Sequence, residues 1–141
     1  MKIDPKSEAE YRAKLARGYL ERAEKFLSTG DYRECVEASQ LAVENAAKAV
    51  VALMRIPSWS RDPSDELMEL IGELPGDCRG WAVRPAGLAR ELAPEHGVVT
   101  YGKPVEGLAP WELYGEPEAS AALGKADEAV KLMERLLQAS I

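Results

Sequence analysis

DYRECVEASQLAVENAAKAVVALMR, residues 31–55, is the stretch that decides the class of this chain. Asp31 follows Gly30 and offers a carboxylate to the free backbone donors of a helix start, with Glu34 three positions on to complete a capping box. Pro57 closes the segment, because it cannot continue a helix and pushes Ile56 out of the helical region. Cys35, Ser39, Ala42, Val43, Ala46, Val50, Leu53 and Met54 recur with helical period and form one broad face, widened by Ala38 and Ala49. Arg33, Glu37, Gln40, Glu44, Lys48 and Arg55 share a narrower polar strip. A helix with so little polar surface packs against more than one neighbour, and its alanines let those neighbours come close. It reads as the central helix of an all-α bundle.

Outward from it, Ser7 and Glu10 open a helix that runs to about Ser28, with Ala16, Tyr19, Leu20, Ala23, Phe26 and Leu27 at helical spacing. Residues 1–6 before it read as surface. Thr29-Gly30-Asp31 is short enough to join the two helices as an antiparallel hairpin. Beyond Pro57, the loop SWSRDPS carries Trp59; Ser64 then caps a third helix over 64–74, stopped by Pro75-Gly76. GDCRGWAV reads as irregular, and Arg84-Pro85 starts a brief helix through Ala93. Residues 94–115 hold four glycines and three prolines, and read as a long loop that is functional or flexible. A last helix runs from 116 to about Ser140 with a clean apolar stripe. The expectation is a single domain over 1–141, an up-and-down bundle of four to five helices.

The formal charge of −6 argues against a broad basic surface for nucleic acid. Arg79, Arg84, Arg90 and Lys103 leave room for a small basic site, with Asp77, Glu91 and Glu95 interleaved. No apolar run reaches membrane-spanning length and the first residues lack the apolar core of a signal peptide, so a cytoplasmic location is expected. Cys35 and Cys78 lack metal-site spacing. A disulfide between them stays open if the source is a thermophile, which one asparagine, two glutamines and 30% charged residues suggest.

Familiar catalytic signatures are missing: no paired Glu-x-x-His, no P-loop, no Gly-x-Gly-x-x-Gly after a strand, no Gly-x-Ser-x-Gly. Asp65, Glu66, Glu69 and Glu73 read as solvated helix positions. Two sets of residues remain. Arg90 and His96, the one histidine, combine a fixed cation with the residue type that exchanges protons near neutral pH. An arginine and a histidine brought near each other would suit metal-independent cleavage of RNA, the imidazole moving the 2′-hydroxyl proton and the guanidinium holding the phosphate. A surface histidine at a helix end is the plainer reading. Gln40, Glu44 and Lys48, at spacings of four, form either a solvated face with a helical ion pair or a binding site or dimer contact. Tyr101 and Tyr114 are placed to stack on a base or to cover the core.

The pairing of YLERAEKFLSTGDYRECVEASQLAVENAAKAVVAL with the later DELMELIGEL resembles the HEPN family (higher eukaryotes and prokaryotes nucleotide-binding domain). The matching features are the Gly30-Asp31-Tyr32 turn, then Gln40, Glu44 and Lys48-Ala49, then Tyr101-Gly102, then Tyr114, Ala119 and Ala126. They span about residues 10 to 138. The resemblance implies a bundle like the substrate-binding subunit of a nucleotidyltransferase, usually a homodimer and often encoded beside a small nucleotidyltransferase in a toxin–antitoxin arrangement. Some branches are ribonucleases with an Arg-x4-6-His motif, a spacing that Arg90 and His96 meet. Glu91 follows the arginine where active members often carry a small polar residue. Pro94 interrupts the motif, Asp65 stands at the family's histidine, and Thr100 stands at its arginine.

Three readings result. The first is a dimeric nucleotide-binding module or nucleotidyltransferase partner, with Gln40, Glu44, Lys48, Tyr101 and Tyr114 about the nucleotide. The second is a ribonuclease toxin using Arg90 and His96. The third is a helical protein-interaction module without catalysis. A nucleotide or RNA is the expected ligand, and no cofactor, metal or membrane is expected.

Overall fold

Gly30 adopts φ 78°, a left-handed conformation that glycine reaches without a Cβ penalty, and turns the chain from α1 (Pro5–Ser28) into α2 (Tyr32–Val51). The Asp31 N–H donates to Phe26 O at 2.9 Å and the Gly30 N–H to Leu27 O at 3.2 Å, which closes the end of α1 in a Schellman arrangement. This computed structural model describes residues 5–139 apart from 75 and 77. The first four residues, the stop at Pro75 and the end of the last helix at Ser140 lie outside the described residues.

The remaining elements are α3 (Ser64–Leu70), α4 (Arg79–Leu92), α5 (Glu95–Tyr101), α6 (Pro110–Leu113) and α7 (Glu116–Ala139), with 3-10 turns at Ile71–Glu73 and Pro104–Glu106. The described residues contain no strand, only a single bridge between Lys103 and Leu108. Four long helices, α1, α2, α4 and α7, carry the all-α bundle; α3, α5 and α6 are each of seven residues or fewer. No helix among the described residues is long and apolar enough to cross a membrane.

α2 is central, as its composition demands. It packs on α1, α7, α4, α3, α5 and α6, and 15 of its 20 residues are buried. Ala42 and Ala46 on α2, Ala16 and Ala23 on α1, and Ala126 and Ala129 on α7 are all fully enclosed. Methyl groups at these positions let the three helices approach one another closely.

Four expectations are corrected. The capping box at Asp31 does not form: the Asp31 carboxylate accepts from Thr29 Oγ1 at 2.5 Å, and Glu34 turns to Arg33. α2 ends at Val51 and not near Arg55, because the N–H groups of Leu53 and Met54 shift to tighter bonds with Val50 O and Val51 O before Pro57. α4 starts at Arg79, five residues before the expected start, and Pro85 lies inside it. Pro85 has no N–H to donate to the Trp81 carbonyl a turn earlier, and the Trp81 ring itself lies 6.0 Å from the Arg135 guanidinium of α7. Residues 94–115 are not a long irregular loop. Pro104 and Pro110 each begin a helical turn, where a missing N–H costs nothing, and Gly102 and Gly107 supply the positive-φ corners.

Candidate functional site

The polar strip of α2 is not a solvated face. Gln40, Glu44 and Lys48 expose 1%, 4% and 2% of their surface, although they belong to one continuous helix stripe. They reach one another along it: Gln40 Nε2 donates to Glu44 Oε1 at 3.2 Å, and Lys48 Nζ meets Glu44 Oε2 at 3.4 Å. α2 is packed on all sides by α1, α7 and the elements α3 to α6, and the three stripe side chains are enclosed among its neighbours. Thus the structure brings the three predicted strip residues together but encloses them. A ligand from solvent does not reach them in this conformation.

Arg33, the strip's first member, has a role that the sequence does not disclose. Its Nη1 donates to Val99 O at 2.6 Å, fastening α5 to the start of α2, while Glu34 and Glu37 flank the same guanidinium. Tyr114, just past α6, adds a second fastening: its hydroxyl donates to a carboxylate oxygen of Glu95 in the first turn of α5. Burial, and then the Glu95 carboxylate, push the Tyr114 phenol well above its ordinary ionisation range, with Arg33 opposing. Tyr114 is half-buried and packs against the core, with its hydroxyl fastened to Glu95. This contact stabilises the fold fully below the ordinary phenol range, near about pH 10, and is lost only as pH rises through the raised value. Tyr114→Phe should remove the latest-ionising phenol from an alkaline absorbance titration and lower stability by about 1 kcal/mol at neutral pH. An unchanged titration curve would contradict the assignment.

Tyr101 has the opposite environment. It is the last residue of α5 and is 76% exposed. Trp111, the second residue of α6, is 75% exposed, and Val105 between them is wholly exposed. Sequence reasoning does not single out Trp111 as a site residue; its place in a Pro-Trp-Glu helix start beside the tyrosine is the signal that could find it.

Arg90 and His96 are not brought into contact. Arg90, in the last turn of α4, donates through Nε to Ser64 Oγ at 3.2 Å and through Nη2 to Asp65, both at the start of α3. His96 is half-buried in the first turn of α5, and its backbone N–H bonds to Ala93 O. Between them Ala93 and Pro94 keep right-handed helical dihedrals, but Pro94 has no N–H and interrupts the ladder. The other cations of the expected basic stretch are engaged as well. Arg79 donates to Gly72 O and Leu74 O, and Arg84 binds Glu128 and Glu91, leaving the Lys103 ammonium with no partner among the described residues.

Both cysteines are buried, and no disulfide joins them. Cys35 lies against Ala119 O at 3.6 Å, and burial raises its thiol above the ordinary range. No group of three or more potential metal ligands occurs among the described residues.

The described residues form an all-α bundle that encloses an alanine-rich central helix and its Gln-Glu-Lys stripe. The chain belongs to the HEPN domain family, whose model matches residues 9–140. Its fold is similar to that in the crystal structure of TT1696 from Thermus thermophilus, with a TM-score of 0.71 and 24% identity over 90% of this chain and 96% of that one. Among curated proteins none matches the chain.

Proposed function

We propose that this HEPN module binds a nucleotide on the exposed surface of α5 and α6, works as a homodimer, and partners a small nucleotidyltransferase in a toxin–antitoxin pair. The observation that carries the reading is the contrast between Tyr101 and the α2 stripe. Tyr101 presents a three-quarters exposed ring on a fixed helix end, while Gln40, Glu44 and Lys48 are enclosed and hold one another. In this reading the stripe is scaffold and the ring is contact surface. Association with a partner is supported by further exposed apolar side chains, Ile56 and Trp59 after α2 and Met68 on α3; Trp59 is 92% exposed.

Adenosine triphosphate at about 100 times its dissociation constant should add about 2.7 kcal/mol to stability, read as a rise in melting temperature. Tyr101→Ala should abolish most of that rise, and no rise with any nucleotide at millimolar concentration would overturn the reading. The dimer is tested by sedimentation across a concentration series.

One observation favours a second reading, a metal-independent ribonuclease. Arg90 keeps 61% of its side chain exposed despite its contact with Asp65, and His96 follows on the next helix. RNA cleavage in the presence of a chelator, lost in His96→Ala, would establish it; equal cleavage by the variant would remove it.

A further inference from the structure

We infer that the outward face of α1 is a docking groove for an acidic helix of a partner protein. Helix periodicity lays the face out. Tyr11, Leu15, Gly18, Arg22 and Lys25 follow one another at steps of four, three, four and three, so they form one row, with Lys14 beside Leu15 between Tyr11 and Gly18. The other side of the helix is the buried one, with Ala9, Ala13, Ala16 and Ala23 turned to the core. A row at this spacing is the kind against which a second helix packs at a shallow crossing angle. None of these residues belongs to α5 or α6, so the inference stands apart from the nucleotide reading.

The row is hollow at Gly18. Tyr11, Lys14, Leu15, Tyr19 and Arg22 line, with Gly18, a surface groove of about 610 Å³, and Arg17 and Glu21 complete its edge. Nothing inside the protein asks for glycine at this position. It lies mid-helix, where glycine weakens a helix relative to alanine, and a Cβ there would meet only the tip of the Arg22 side chain, Nη1 at 3.3 Å. The space it leaves is on the outer side, where a second backbone is able to come close.

Charge selects the occupant. Lys14, Arg22 and Lys25 are exposed, and none has an ion-pair partner among the described residues; Arg22 Nη1 donates to Gly18 O at 3.0 Å. The carboxylates of α1 keep to other rows. Glu8 holds Arg12 at 2.8 Å, and Glu10, Glu21 and Glu24 share a neighbouring row with Arg17, which Glu134 holds at 2.5 Å. The groove row therefore carries three unpaired cations and no carboxylate, within a chain of net charge −6. An acidic amphipathic helix meets those cations along its length and covers Tyr11 and Leu15 with its apolar stripe. A bilayer or a nucleic-acid strand is a wider polyanion, and would also lie over the Glu10–Glu24 row and meet its repulsion. Tyr11 and Leu15 are the only apolar side chains in the row, so the contact depends on exposed charges and belongs to the weak, salt-sensitive class.

The test uses the full chain and a fluorescein-labelled helical peptide with leucines at steps of three and four flanked by glutamates, read by anisotropy. This peptide should bind saturably, and the same peptide with lysine for glutamate should not. Lys14→Glu/Arg22→Glu should weaken it about tenfold, as two exposed attractions become repulsions. Gly18→Leu should weaken it about as much by filling the groove; leucine is the better helix former, so that loss is not a loss of fold. Lys131→Glu, an exposed cation of α7, should leave it within about twofold. No binding of the glutamate peptide, equal binding of the lysine peptide, or unchanged affinity in Gly18→Leu would each overturn the inference. Tighter binding of phosphatidylserine vesicles or of an oligoribonucleotide, lost in Lys14→Glu/Arg22→Glu, would overturn it in favour of those polyanions. A change of oligomeric state in the same variant, seen by sedimentation without any peptide, would give the groove to a second copy of the chain and equally overturn it.

Discussion

Lys48→Met should lower stability by about 3–5 kcal/mol, the cost of leaving one charge of a buried pair without its partner. Lys48 and Glu44 expose only 3% and 5% of their side chains and sit 3.4 Å apart. After the substitution the Glu44 carboxylate keeps one donor, Gln40 Nε2, in a place water does not reach. Methionine is unbranched and close to lysine in volume, one heavy atom shorter, so the loss reports chiefly on charge and not on a cavity. For a domain of this size the melting temperature should fall by about 10 °C or more. The double variant Glu44→Met/Lys48→Met is the decisive companion. Replacing both charges by apolar groups removes the desolvation cost together with the attraction, so the pair should recover at least half of the loss. Urea unfolding of wild type, both single variants and the double variant measures it. A Lys48→Met protein within about 0.5 kcal/mol of wild type would mean that the stripe is hydrated, as surface substitutions away from buried partners cost no more than that.

Gly102→Ala should cost about 3 kcal/mol or more, a large effect for one methyl group, because strain at a special φ/ψ and overpacking coincide there. The backbone has φ 68° and ψ −145°. Residues with a Cβ occupy that region only at a cost of about 1–3 kcal/mol. The new Cβ would also press on Leu108 O at 2.2 Å, well inside contact distance, and the carbonyl cannot retreat without breaking its 2.9 Å bond from the Lys103 N–H. Gly107→Ala is the internal control. Gly107 has φ 72° as well, but a Cβ there meets nothing within 4 Å. Only the conformational cost of about 1 kcal/mol applies to it. Denaturant unfolding of the two variants should therefore differ by at least about 2 kcal/mol, the overpacking cost alone. Equal losses would contradict the close packing of the turn on which Tyr101 and Trp111 depend.

The fold is legible in the sequence wherever one helix face suffices to reveal it. Cys35, Ala42, Val43, Ala46 and Val50 point to a helix enclosed by neighbours, and all are buried. Local pattern cannot reveal which neighbour covers which face. Gln40, Glu44 and Lys48 look like a solvated stripe because an ion pair four residues apart is a common surface device. Their burial comes from helices elsewhere in the chain that surround α2. The short ones among them are hidden in turn by their own composition. Glycines and prolines over 94–115 read as loop, yet Pro104 and Pro110 sit where a helical turn begins and Gly102 and Gly107 where one ends.

The candidate site divides the same way. Tyr101 and Tyr114 look alike in sequence, and only tertiary structure separates them: one ring stands in solvent, the other hydroxyl is fastened to Glu95. Arg90 and His96 satisfy a spacing, but spacing along the chain does not guarantee a shared face when Pro94 interrupts the ladder. Arg90 turns instead to α3 through Ser64 and Asp65. Periodicity marks Arg33 as one more polar position, and its bond to Val99 O spans 66 residues that no periodicity could connect.

Amide chemical-shift mapping during a titration with adenosine triphosphate tests the central claim most directly, since it asks where on the module the ligand lies. Saturable shifts should concentrate in residues 101–111, with the amides of Gln40, Glu44 and Lys48 unmoved. Shifts centred on those three α2 residues, with 101–111 silent, would contradict the assignment of the stripe to scaffold and of the α5–α6 surface to the ligand.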